Sequence, residues 1–144
     1  MIIDPDRFPR VELDFMNRVH AEEVAMLNRL AERVAQRQTD PGVQTEIDAL
    51  LDDFLAHMRR HFSDEEAMMR RINFPPYPVH KQEHDRILAE LEALHAQARV
   101  AGDTRELERH LLEIVPGWFD QHVATMDMIT ARFLQMQGVT APDD

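Results

Sequence analysis

The sequence predicts an all-α protein, an up-down-up-down antiparallel four-helix bundle preceded by a short N-terminal arm. Three observations predict it. Only four glycines occur in 144 residues, and helix-compatible residues dominate. The breakers fall where they divide the chain into four long periodic segments. Each segment carries one seam, mostly apolar, in alternating steps of four and three, the pattern of left-handed bundle packing.

The first helix is expected over about 11–37, before Gln38-Thr39-Asp40-Pro41-Gly42, with Met16, His20, Glu23, Leu27, Leu30 and Val34 on its seam. The second, about 43–71, stops before Asn73-Phe74-Pro75-Pro76-Tyr77-Pro78; its seam runs Ile47, Leu51, Phe54, Met58, His61, Glu65, Met68, Ile72. The third, about 79–100, ends at Ala101-Gly102-Asp103 and aligns His80, His84, Ile87, Leu91, Leu94 and Ala98. The fourth, about 104–137, stops before Gly138 and aligns Leu107, Leu111, Ile114, Trp118, His122, Thr125, Ile129 and Phe133. Short loops between long helices make neighbours antiparallel. Pro116 lacks a backbone donor and crowds the preceding turn, so a kink or short break is expected near it. Residues 1–10 form the arm, and residues 1–144 read as one domain with one core.

Composition narrows the function classes. Acidic residues outnumber basic ones 27 to 16, a net charge of −11. Nucleic acids and anionic membranes call for clustered Lys and Arg, so neither is an expected partner. With no cysteine, disulfides and thiolate metal sites are excluded, and any metal must be held by nitrogen and oxygen. No apolar run approaches the roughly 20 residues that span a bilayer. Asp4, Pro5, Asp6 and Pro9 make the arm unlike an export signal, so the expected location is cytoplasmic.

The informative feature is that every seam carries ionisable residues where Leu or Ile would be expected. His20, His61, His80, His84 and His122 come from all four helices, and Glu65 and Asp127 accompany them. Five histidines buried together are hard to satisfy without a cation. His61 and Glu65 lie four apart, as do His80 and His84, so each pair projects from one helical face. This is how a bundle presents metal ligands to its centre, and a di-metal site in the core is expected. Imidazole and carboxylate without thiolate suit iron, manganese or zinc. His122 and Asp127 lie five apart, about 140° on an ideal helix. Either Asp127 reaches round to bridge two metals, which is the preferred reading, or the helix has a local i to i+5 bulge.

At this point a family resemblance emerges. His61-Phe62-Ser63-Asp64-Glu65-Glu66-Ala67-Met68-Met69 resembles the His-Phe-x-x-Glu-Glu-x-x-Met signature of hemerythrins. His80-Lys81-Gln82-Glu83-His84 resembles that family's His-x-x-x-His, and Trp118 to His122 followed by Asp127 resembles its Trp-Leu-x-x-His-x-x-x-x-Asp. His20 with Asn28 resembles the first-helix motif. The likeness covers roughly residues 10 to 136. It implies two non-haem iron ions with a bridging oxo or hydroxo group, Glu65 and Asp127 bridging. One iron would take His80, His84 and His122; the other would take His20 and His61 and keep an open position for oxygen. Trp118, Phe119, Val123 and Leu27 would line the apolar pocket.

Two positions depart from the family pattern. Glu23 stands where a leucine is usual, on the same inward seam as His20; it fills the sixth position as an extra ligand, hydrogen-bonds to a bound peroxide or donates a proton, or else it swings to solvent or pairs with a neighbour. His57, one turn before His61, replaces a common tyrosine and is an outer-sphere candidate. Asn17 and Val19 also differ from the usual Asp and Gln. His95 and His110 are read as non-ligands, and Glu66 and Glu83 as solvated or supporting groups. The nine methionines read as adaptable core filling. The first functional expectation is non-enzymatic binding of oxygen, or of another diatomic or peroxide ligand, for storage, delivery or sensing. A di-iron peroxidase or oxidase with Glu23 altering the pocket is the alternative, and an iron-handling bundle the weaker one.

Overall fold

The computed structural model describes residues 2–143; Met1 of the expected arm and Asp144 of the tail lie outside the described residues. Four long helical rods make up the structure: α1 (Asp14–Gln36), α2 (Gln44–Arg71), α3 (Tyr77–Ala101) and α4 (residues 105–136). Among the described residues there is no strand. Helices adjacent in sequence pack side by side, as short connections require.

Local chemistry sets the helix ends. Asn17 shortens α1 relative to expectation: its Oδ1 accepts from the Val11 N–H at 2.8 Å and its Nδ2 donates to the Val11 carbonyl at 2.8 Å. Those bonds hold Val11 outside the helix, which therefore starts at Asp14. After α1, Asp40 accepts from the Gly42 N–H, and Pro41–Val43 form a 3₁₀ turn that runs straight into α2. Asn73, at φ 51°, reverses the chain after α2, and the Phe74 N–H returns to the Met69 carbonyl. α3 begins at Tyr77, two residues early, because Pro78 in a first turn gives up no helical bond. Gly102, at φ 65°, ends α3 with a left-handed residue that glycine adopts without a Cβ penalty.

Two expectations bear on α4. The chain stays helical through Pro116, and a widened π-turn at His110–Ile114 lies immediately upstream. A π-turn leaves the register loose where proline supplies no N–H, so the disturbance is absorbed without a break. A second π-turn spans Val123–Asp127. The i to i+5 bulge, held as the second choice for His122 and Asp127, is therefore present.

The core divides in two around a polar centre. One apolar cluster gathers Leu30, Ile47, Leu51, Phe54, Leu91 and Leu107 toward the α1–α2 turn. The other gathers Leu13, Met16, Met68, Phe119, Val123 and Leu134 at the opposite end. The arm runs back along α1 from the second cluster, which Val11 joins and Phe8 packs against, to Ile3, which packs against both. Asn28 accepts the Ile2 and Ile3 N–H groups at 2.8 and 3.0 Å and donates to the Ile3 carbonyl at 2.9 Å. No helix of the described residues is long and apolar enough to cross a membrane.

Candidate metal centre

Between the two clusters lie His20, His61, Glu65, His80, His84, His122 and Asp127, each at most 4% exposed. Their potential ligand atoms form two groups, each gathered within 4.8 Å. One is Glu65, His80, His84, His122 and Asp127; the other is His20, His61, Glu65 and Asp127. The two carboxylates belong to both, and each divides its oxygens between them. Asp127 Oδ1 lies 3.0 Å from His80 Nε2 and 3.2 Å from His122 Nε2, while its Oδ2 lies 3.1 Å from His20 Nε2. Glu65 Oε1 lies 3.4 Å from His84 Nε2 and 3.6 Å from His80 Nε2, while its Oε2 lies 2.7 Å from His61 Nε2. The π-turn serves this arrangement. With a wider turn, five residues come close to one revolution, so Asp127 shares a face with His122.

Five imidazoles thus present Nε2 inward, and outer partners hold several of them by Nδ1. His61 Nδ1 donates to Glu23 Oε2 at 2.7 Å, and His84 Nδ1 donates to Glu66 Oε2 at 2.9 Å. His80 Nδ1 hydrogen-bonds with Thr130 Oγ1 at 2.9 Å. Such partners fix the tautomer and orientation of a metal-binding imidazole. Rings do the rest. Phe62 stacks on His84 with centroids 3.9 Å apart at 4°, and Trp118 stacks on His122 at 4.6 Å. Trp118 is itself held by a 2.7 Å bond from Nε1 to Glu83 Oε1.

Electrostatics fits a cation-binding site. Burial alone would lower the His20 pKa, yet the Asp127 and Glu65 carboxylates close to its ring push it up to about 9. His84 follows the same pattern, lowered by burial but raised to about 9 by Glu65 and Glu66. Burial opposes ionisation of Asp127, but the His122 charge and the surrounding imidazoles hold it well below the usual carboxylate range. Despite these contacts, both ring nitrogens of His20, Nε2 of His84, Oε1 of Glu65 and both oxygens of Asp127 are buried without a hydrogen-bond partner. Buried polar atoms are normally satisfied. Apart from the outer His20 Nδ1, the unsatisfied ones here converge on two points, and hard-to-intermediate divalent cations at those points would satisfy them.

The remaining singled-out residues are placed as follows. Glu23 is fully buried but belongs to neither ligand group. Its Oε2 accepts from His57 Nδ1 at 2.9 Å as well as from His61, and its Oε1 has no hydrogen-bond partner. His57 also donates from Nε2 to Glu22 Oε2 at 2.8 Å. Phe119 lies edge-on to His20 at 5.5 Å, while Leu27 and Val123 are fully buried. His95 and His110 face Asp52 and Glu90, away from the centre. Sequence reasoning missed Phe8, whose ring packs 6.1 Å from His20 and 4.9 Å from Phe119. The arm has no periodicity that could have revealed it. Thr130 was missed too, although it lies on the α4 face eight residues beyond His122.

Comparison with known proteins agrees with this geometry. The family model described as the hemerythrin HHE cation binding domain matches residues 11–134. The bacteriohemerythrin of Aquifex aeolicus (strain VF5) is 32% identical over 134 residues, covering 93% of this chain and 98% of that protein. The bacteriohemerythrin of Ralstonia nicotianae is 32% identical over 125 residues, covering 87% of this chain and 83% of that one. The myohemerythrin of Sipunculus nudus is 34% identical over 79 residues, covering 55% of this chain and 58% of its own. No solved structure matches significantly. With a family model spanning most of the chain and a bacterial relative aligned along nearly its whole length, the chain belongs to the hemerythrin family.

Proposed function

We propose that this bundle holds two non-haem iron ions and binds molecular oxygen reversibly, for storage, delivery or sensing. The observation that carries the reading is the division of Glu65 and Asp127, each offering one oxygen to a three-histidine group and one to a two-histidine group. Two cations at those points, joined by the carboxylates and a solvent-derived oxo or hydroxo, would satisfy the orphaned atoms on both sides. His80, His84 and His122 would hold one ion and His20 and His61 the other. Iron in this setting supplies an electron pair for oxygen and an open coordination position on the side with fewer histidines.

The protein's own part is to orient and to exclude water. Phe8 and Phe119 pack against His20, and Phe62 and Trp118 against His84 and His122. This wall offers few donors that could protonate a bound ligand and release it as peroxide. Glu23, the polar exception, turns one oxygen to the outer nitrogen of His61. The test is anaerobic reconstitution followed by cycles of oxygen exposure and removal. Two irons per chain, with a spectral change that reverses when oxygen is withdrawn, is the expected result. Clearly fewer than two irons would refute the di-iron centre, and irreversible oxidation on first exposure would refute reversible binding.

A further inference from the structure

We infer that Glu23 is a positioning residue for the two-histidine iron position, anchoring His61 from behind while His57 anchors Glu23. The inference rests on the di-iron reading and adds what that reading leaves open, namely how the position with fewer ligands is held. The three-histidine group has supports on two rings: His84 on Glu66 and His80 on Thr130. In the two-histidine group, His20 Nδ1 is buried without a hydrogen-bond partner. His61 is then the ring there with a fixed outer contact, through Glu23.

The contact is a chain of alternating carboxylate and imidazole. Glu22, 52% exposed, meets His57; His57 meets Glu23, which is fully buried; Glu23 meets His61. A carboxylate taken wholly out of water persists when hydrogen bonds and opposite charge offset its desolvation. Glu23 Oε2 receives two N–H groups, one from each histidine, so its place is determined from both sides. With Nδ1–H committed to Glu23, the inward His61 Nε2, which donates to Glu65 Oε2 at 2.7 Å in the metal-free protein, is the nitrogen whose lone pair a metal would take once that proton leaves. The negative charge behind the ring makes that nitrogen a stronger donor. A leucine at position 23 could do neither. Glu23 also lies outside the groups whose ligand atoms converge, so its role is exerted through His61.

The test compares wild-type protein with Glu23→Leu, Glu23→Gln and His57→Phe, loaded with iron(II) or cobalt(II). Site affinities are read by chelator competition, and coordination number is read by X-ray absorption. Glu23→Leu is expected to weaken one of the two metal positions by about 10- to 100-fold while sparing the other. Glu23→Gln, whose amide oxygen still accepts Nδ1–H, should recover part of that loss, and His57→Phe should show a smaller loss at the same position. Coordination number should not change. Unchanged affinities in Glu23→Leu would overturn the inference, as would equal weakening of both positions, which marks a general structural role. A coordination number lowered by Glu23→Leu would make Glu23 a ligand and also overturn it. A wild-type chain that takes up fewer than two metals refutes the di-iron reading itself, a result distinct from all of these.

Discussion

Replacing Glu65 with alanine removes the residue on which the buried centre converges most densely. Its two oxygens lie 2.7 Å from His61, 3.4 Å from His84, 3.6 Å from His80 and 3.8 Å from His20. In the metal-free protein at neutral pH, His61 is held protonated well above its usual range and His20 and His84 titrate near 9, so the carboxylates neutralise a cluster of cations. Without Glu65, Asp127, Glu23 and Glu66 are left to balance that charge in a buried centre. Removing one member of a buried charged pair costs about 3–5 kcal/mol, because the other is left uncompensated. The histidines can shed protons to limit the penalty, so the lower end, about 3 kcal/mol, is expected at pH 7. For a chain of this length that corresponds to a melting point lower by roughly 10 °C. The assay is equilibrium urea unfolding of chelator-treated wild-type and Glu65→Ala protein at pH 7 and again near pH 10. The difference should shrink at the higher pH, where His20 and His84 are neutral. A loss below about 1 kcal/mol at pH 7, or one that does not vary with pH, would refute the electrostatic account of this centre.

Other outcomes follow from the same geometry. His20 and His84 are raised from 6.5 to about 9, so their contribution to metal-free stability is complete below pH 6.5 and lost as pH climbs through 9. Glu65 and Asp127 are lowered, so theirs is present at neutral pH and lost on acidification. Bound metal displaces those histidine protons, so the melting-point gap between loaded and metal-free protein should widen from pH 6.5 to 9; a gap that narrows would contradict this. Phe62→Ala removes a fully buried ring stacked on His84 and should cost about 3–5 kcal/mol, measured by denaturant unfolding. Asn28→Ala breaks three bonds to Ile2 and Ile3 and should expose the arm to proteolysis, with a stability loss of about 1–3 kcal/mol; wild-type resistance to cleavage would count against it. Deleting Ala124, an exposed residue of the second π-turn, converts the His122–Asp127 spacing to four, which a regular helix also places on one face. Two metals per chain should therefore survive the deletion, and loss of both would show that the wide turn does more than set that register.

Much of this protein was legible from the chain alone. Helix identity follows from local rules, the spacing of apolar residues and the placement of Pro and Gly, which act within a few residues of each other. The polar members of the seams were legible for the same reason: a histidine on a core-facing stripe is conspicuous wherever the stripe ends up. The motifs around His61, His80 and His122 also carried the family likeness. What local rules could not supply was anything decided between helices. How Asp127 and Glu65 divide their oxygens depends on four rods closing on one point, and the π-turn that aims Asp127 was outweighed by the simpler picture of a side chain reaching round. Phe8 enters the centre from an irregular segment pinned by Asn17 and Asn28, contacts that no periodicity describes. Glu23 shows the division most clearly. Its sequence position placed it on the inward seam, while its meeting with His57 and His61 on another helix sets its direction, because a buried carboxylate goes where opposite charge and N–H donors offset its lost hydration.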